Sequence, residues 1–203
     1  MQLPIAIDSI KGFLAPEEGD ALYQHALKAA TTGPCLEIGS YCGKSTVYLG
    51  TACKKQQVTL YSVDHHRGSE EHQLGEEYHD AELYDTGTGL MDSFREFRCT
   101  IRQAELEDTV VPLVASSELA SRHWSTPLAM VFIDGGHSEA AAQTDYRSWA
   151  GHIKRGGILA IHDLYPNPEE GGQAPYTLWK QAKASGLSDE PTLAHPLGRS
   201  RRG

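Results

Sequence analysis

Positive charge is scarce in this chain: 18 Lys and Arg stand against 27 Asp and Glu in 203 residues, a formal net charge of −9. Nucleic acids are gripped by clustered Lys and Arg that neutralise phosphates, so a nucleic-acid partner is excluded as the main function. The one basic run, Arg199, Arg201 and Arg202, reads as a solvated tail. Cysteine is sparse too. Cys35, Cys42, Cys53 and Cys99 show no CxxC spacing and lack the density of a disulfide-stapled secreted domain, so they read as reduced thiols of a cytoplasmic protein. No apolar run is long enough to cross a bilayer, and Met1 to Ile10 lacks the basic stretch and apolar core of an export signal, so no membrane is expected. The length predicts a single domain over residues 1–203.

What is present is a regular alternation. Pro16, followed by Glu17, Glu18 and Asp20, with Leu22, Ala26, Leu27 and Ala30 on one face, predicts a helix through about Ala30. Cys35 to Ile38 then enters the glycine-rich turn Gly39-Ser40-Tyr41-Cys42-Gly43, and Ser45 to Ala52 can continue as a helix. Further strands are predicted at Val58 to Val63, Val110 to Val114, Leu128 to Ile133 and Ile158 to Ile161. Helices are predicted at Met91 to Arg102, Ser117 to Trp124, Ser138 to His152 and Thr177 to Ala184, and Gly156-Gly157 is a turn signal. Such repetition predicts an α/β fold: a Rossmann-like, doubly wound, mainly parallel sheet in three αβα layers. Residues 65–90, rich in His and Glu, are too polar for a core element and too long for an ordinary connection, so they read as an insertion near the site. Residues 1–15 are expected to cover the fold or its ligand.

Parallel sheets of this kind bind ligands beyond the C-terminal ends of their strands. Those ends carry Glu37 with the glycine turn, Asp64, Ser116 and Ser117, Asp134 and His137, then His162 and Asp163. One acidic residue at a strand end is commonly a helix cap, but convergence from five strands describes a site. Gly43-Lys44-Ser45 points toward a phosphate loop, yet GxxxxGK[ST] needs one more residue between its glycines, and GxGxxG is missing. Glu37 would repel a pyrophosphate and accept hydrogen bonds from an ammonium, which favours a cationic or zwitterionic ligand.

Glu37 to Thr46, the acidic end of the second strand at Asp64, Phe132-Ile133-Asp134-Gly135-Gly136-His137 and Gly156 to Asp163 together resemble class I S-adenosylmethionine-dependent methyltransferases, in particular the small-molecule group with ExGxxxGxS and DGxH motifs. The resemblance implies that S-adenosylmethionine lies along Glu37, Gly39, Ser40, Tyr41, Gly43, Ser45, Asp64, His65, Ser116, Ser117 and Asp134. Asp64 would take the ribose hydroxyls, and Ser116 or Ser117 the adenine. It also implies that any strands between Pro191 and Arg201 run antiparallel, and that methyl goes to a small molecule, with oxygen the leading acceptor. Two routes fit the catalytic set Asp134, His137, His162 and Asp163. In one, Asp134 and Asp163, with His162 or else His137 completing the set, hold a divalent metal ion (Mg, Mn, Fe or Zn) that lowers the pKa of the acceptor. In the other, His137 or His162 is a general base. The pair His162-Asp163 departs from the acidic or amide residues usual there, and an imidazole ligand favours Mn, Fe or Zn over Mg.

His65, His66, Arg67 and His72 are the candidate substrate contacts, against the reading of residues 65–90 as a solvated loop. A second metal site lacks HxxxH or HExxH spacing to support it. Trp149 reads as packing, Trp124 as packing or an adenine neighbour, Tyr41 as packing or a cover for the cofactor, and Lys44 as solvent-facing. The rivals are a P-loop-like phosphotransfer protein and a cofactor-binding module without catalysis. A homodimer is the base-rate assembly.

Overall fold

The structure, a computed structural model, describes residues 2–76, 79–136, 138–184, 189–194 and 197–201. In chain order the elements are α1 (Pro16–Ala29), β1 (Cys35–Ile38), α2 (Lys44–Lys55), β2 (Leu60–Val63), the short strands β3 (Tyr84–Asp85) and β4 (Leu90–Met91), α3 (Phe94–Gln103), β5 (Val110–Leu113), α4 (Ser117–Ser121), β6 (Leu128–Ile133), α5 (Glu139–Trp149), β7 (Ile153–Ile161), α6 (Ala174–Ala184), β8 (Asp189–Ala194) and β9 (Leu197–Arg201). The main sheet runs β5-β2-β1-β6-β7-β9-β8. Its first five strands are parallel, whereas β9 pairs antiparallel with β7 and β8 antiparallel with β9. This is a Rossmann-like fold, with helices on both faces of a mainly parallel sheet.

Alternation along the central strands creates the two faces. Met130, Phe132, Ile158 and Ala160 pack toward Leu22, Ala26 and Leu49 of α1 and α2, while Val131, Ile133, Leu159 and Ile161 pack toward Tyr146, Trp149 and Leu178 of α5 and α6. Both faces of β6 are covered, and all six of its residues are buried, which is why it reads as an unbroken apolar run.

Three expectations are corrected. Gly156-Gly157 does not precede the last parallel strand but lies within β7: Leu128 pairs with Ile153 and Met130 with Ile158, so β7 bulges, with Gly156 at φ +75°. Met91 closes the small β3–β4 ladder rather than opening α3. The terminal arginines are not all a tail, since Arg199 and Arg201 lie in β9, in register with Ala160 and Ile158; Arg202 is outside the described residues. Among the described residues no helix is long and apolar enough to cross a membrane.

Candidate active site

The sheet register builds the site. Ser62, Glu37, Phe132 and Ala160 form one row across β2, β1, β6 and β7, and the next row, Val63, Ile38, Ile133 and Ile161, faces the other side. The ladder continues one residue further: the amide of Gly39 donates to the Val63 carbonyl, that of Asp134 to Ile38, and that of His162 to Ile133. Asp64, Gly39, Asp134 and His162 therefore stand side by side at the C-terminal edge, on the face of α1 and α2.

Gly39 is the closest joint in this row. Its φ is +84°, and a Cβ there would sit far under 3.0 Å from the Asp134 carbonyl. The missing side chain thus lets β1 touch β6. Gly43 (φ +93°) likewise clears Phe97 and Thr100 of α3. Between them Ser40 is buried with a hydroxyl that has no hydrogen-bond partner, and the amide of Tyr41 donates to Asp64 Oδ2 at 2.8 Å. The other oxygen of Asp64 accepts from the amide of His66 at 2.7 Å. Each carboxylate oxygen retains a second lone-pair direction for a ligand hydroxyl.

Glu37 is placed differently from the expectation that it meets the ligand's ammonium. It has no exposed surface, and its carboxylate accepts from Thr46 Oγ1 at 2.5 Å, Ser62 Oγ at 2.7 Å and Ser45 Oγ at 3.0 Å. It binds the start of α2 to the sheet from beneath the turn. Burial pushes its pKa up to about 7, against the pull of the three hydroxyls and with a smaller push from Asp134. The folded state therefore holds this proton more tightly than the unfolded chain, whose carboxyl keeps the ordinary 4.5. Stability falls as pH rises through that window, by about 3 kcal/mol at most for this group. In chelator and without cofactor, Glu37→Gln should remove that slope: urea titrations between pH 5 and pH 8 should show the variant gaining on the wild type as pH rises, and parallel curves would refute the assignment.

His162 is the centre of the candidate cluster after β6 and β7. It is 5% exposed, with Nδ1 3.0 Å from Asp134 Oδ1 and 3.3 Å from Asp163 Oδ2, and Nε2 3.2 Å from Glu18 Oε1. Neither ring nitrogen meets these oxygens in line as a hydrogen bond. Burial alone would lower the pKa of the ring; Asp134, Asp163 and Glu18 outweigh it and raise it well above the usual value. Asp163 sits at φ +55°, an uncommon conformation for a side-chain-bearing residue, and accepts from the Tyr165 hydroxyl at 3.3 Å. Ligand atoms of Asp134, His162 and Asp163 all lie within 4.8 Å of one another. One imidazole nitrogen and two carboxylate oxygens converging on one space fit a divalent cation. Among the described residues this is the one such group.

The remaining candidates divide. Ser116 is exposed and caps α4, its hydroxyl accepting from the Leu119 amide, while Ser117 is buried beside Asp145. His65 is exposed, with Nδ1 accepting from the Arg67 amide. His66, expected at the substrate, turns into the core instead: it is 2% exposed, contacts Ser93 at 2.9 Å and packs between Phe94 and Phe97. Arg67 lies 3.6 Å from Asp92. His72 stays near the turn, its ring 5.4 Å from that of Tyr41 and 6.4 Å from that of Phe13. Lys44 is not solvent-facing: its amine donates to the Gly12 carbonyl at 2.9 Å, tying the leading segment to the turn and away from a phosphate. Trp124 packs edge-on against Tyr61 and Trp149. His137 lies outside the described residues.

Two groups escaped sequence reasoning. Asp145 of α5 is buried under Gly135, where a Cβ would strike its carboxylate, and burial pushes its pKa up to about 6. Glu18 shows in the sequence merely as one of several acids in a first helical turn, although its neighbour Glu17 is exposed and it is 5% exposed.

A strand-end row with a glycine turn, an acid after β2 and a polar cluster after β6 and β7 defines a class I S-adenosylmethionine-dependent methyltransferase. The chain belongs to the family described as "Methyltransferase domain", whose profile matches residues 36–164. Solved structures with the same fold include the O-methyltransferase from Bacillus cereus in complex with S-adenosylhomocysteine, 14% identical, TM-score 0.62, covering 94% of this chain and 83% of that one. The O-methyltransferase TomG from Streptomyces achromogenes, in complex with S-adenosylmethionine, is 12% identical with TM-score 0.63, covering 94% and 82%. The Podospora anserina methyltransferase PaMTH1, bound to S-adenosylhomocysteine, is also 12% identical with TM-score 0.63, covering 94% and 80%.

Proposed function

We propose that this protein methylates an oxygen of a small molecule, using S-adenosylmethionine and a divalent cation held by Asp134, His162 and Asp163. The observation that carries the reading is the single row in which Asp64 and the glycine turn stand beside Asp134 and His162. The turn suits the amino-acid end of the donor, where the buried, unpartnered Ser40 hydroxyl is available; Asp64 suits the ribose. Ser117 and His65 would flank the nucleoside, and Glu37 would support the turn from below. Bound there, S-adenosylmethionine would supply its methyl in line to the acceptor oxygen, the S–CH₃ bond breaking as O–CH₃ forms, with the acceptor's proton leaving to solvent. A bound divalent cation would lower the pKa of the acceptor hydroxyl. His162 is poorly placed as a general base, because carboxylates face both of its nitrogens. O-methyltransferase neighbours of the same fold favour oxygen as the acceptor atom.

Calorimetry with S-adenosylmethionine, S-adenosylhomocysteine and ATP tests the donor. Both sulfur ligands should bind, ATP should not, and Asp64→Ala should weaken the former by roughly 10-fold or more, about 1.4 kcal/mol or more for a lost charge-assisted hydrogen bond. Tight ATP binding without cofactor binding would restore the phosphotransfer reading.

A further inference from the structure

We propose that Glu18 is a positioning residue for the metal centre: its carboxylate, 3.2 Å from His162 Nε2, keeps the ring proton on that nitrogen, presents Nδ1 to the cation beside Asp134 and Asp163, and so favours a transition-metal ion over Mg²⁺. This rests on the metal reading above.

The argument begins with where Glu18 is. A glutamate three residues into a helix commonly closes a capping box at the surface, and Glu18 does bond the Ala15 amide through Oε2 at 3.0 Å. That accounts for one oxygen. The other, Oε1, points inward, is buried without a hydrogen-bond partner, and lies 3.2 Å from His162 Nε2. Burying a carboxylate is costly unless it is paired, so a cap alone does not explain its depth. The depth comes from Gly19, where a Cβ would overlap the Tyr48 ring; its absence lets α1 settle on α2 and brings Glu18 to the sheet edge.

The chemistry follows from the two ring nitrogens. Of the three carboxylates Glu18 approaches Nε2, whereas Asp134 and Asp163 both approach Nδ1. A proton retained on Nε2 leaves the Nδ1 lone pair directed at the space those two acids share. Histidines that bind metals generally donate their other N–H to a carboxylate or carbonyl, which fixes tautomer and ring orientation. An imidazole so fixed suits Mn²⁺, Fe²⁺, Co²⁺ or Zn²⁺ better than Mg²⁺, which prefers oxygen ligands and retains its waters.

Co²⁺ titration of the full chain tests this, followed by calorimetry and by the visible d–d bands that report nitrogen ligation. The wild type should bind Co²⁺ with a nitrogen-ligand spectrum and bind Mg²⁺ more weakly. Glu18→Gln keeps size and capping ability, so its thermal midpoint should stay close to that of the wild type while Co²⁺ affinity drops by about 10- to 100-fold and the bands shift. Glu17→Gln, on the exposed neighbour, should change neither. Unaltered Co²⁺ affinity and spectrum in Glu18→Gln would overturn the role of Glu18 and leave the metal reading standing. Absence of Co²⁺ binding by the wild type would overturn both, and a wild-type spectrum in His162→Ala would remove the imidazole from the centre.

Discussion

Asp134→Asn should reduce methyl transfer by about 10³-fold, roughly 4 kcal/mol of lost transition-state stabilisation, while cofactor affinity changes by less than about 10-fold. The asymmetry follows from which part of Asp134 does which job. Its backbone is part of the sheet row, with its amide on the Ile38 carbonyl and its own carbonyl against Gly39, and an amide side chain leaves that untouched. Its carboxylate is one of the three groups proposed to hold the cation, and it lies nearer to His162 Nδ1 than that of Asp163. Removing that charge weakens the cation site without altering the turn or Asp64. The measurements are release of S-adenosylhomocysteine with an acceptor found by screening, cofactor calorimetry, and Co²⁺ affinity, which should fall in step with turnover. Turnover within about 10-fold of the wild type would sink the proposed centre, whatever the acceptor proves to be.

The fold was legible because its central strands are buried on both faces: Leu128 to Ile133 is apolar throughout, and a glycine turn or polar residues follow each parallel strand within three residues. The polar edge was legible for the same reason, since period-2 alternation and a parallel register bring the residues after each strand into one row. What could not be read was depth. Glu37 and Asp64 look equivalent as acids near strand ends, yet Glu37 is two residues before the edge, where Ser45, Thr46 and Ser62 enclose it. His65 and His66 are adjacent, and nothing in their order tells that a positive φ at His66 (+59°) turns its ring inward while His65 remains outside. Glu18 and Lys44 are the same lesson from helix starts. Their long side chains reach His162 and Gly12 across tertiary contacts that no local pattern encodes. The bulge in β7 was hidden because Gly156-Gly157 is as good a signal for a turn as for a break in register.

Gly39→Ala should be the most damaging single methyl group that can be added to this protein near its site. Two penalties combine. A Cβ at φ +84° costs about 1–2 kcal/mol by itself. Here the methyl also meets the Asp134 carbonyl, far inside the 3.0 Å that real Cβ atoms respect, and the Gly135 nitrogen at 2.9 Å, both backbone groups of a neighbouring strand end. Neither can rotate away as a side chain would, so β1 and β6 must separate, and the Gly39 amide bond to Val63 and the Asp134 amide bond to Ile38 are strained with them. A loss above about 4 kcal/mol is expected. In a chain of this size that lowers the thermal midpoint by about 8–16 °C, and cofactor binding should go with it because Asp64, Gly39 and Asp134 no longer share a row. Gly75→Ala supplies the control: its φ is +93°, but among the described residues nothing lies within 4 Å of its Cβ position. That variant should show the conformational penalty alone, about 1 kcal/mol, with cofactor affinity intact. Equal shifts for the two variants in thermal unfolding would mean that positive φ, and not the contact between β1 and β6, is what requires glycine at position 39.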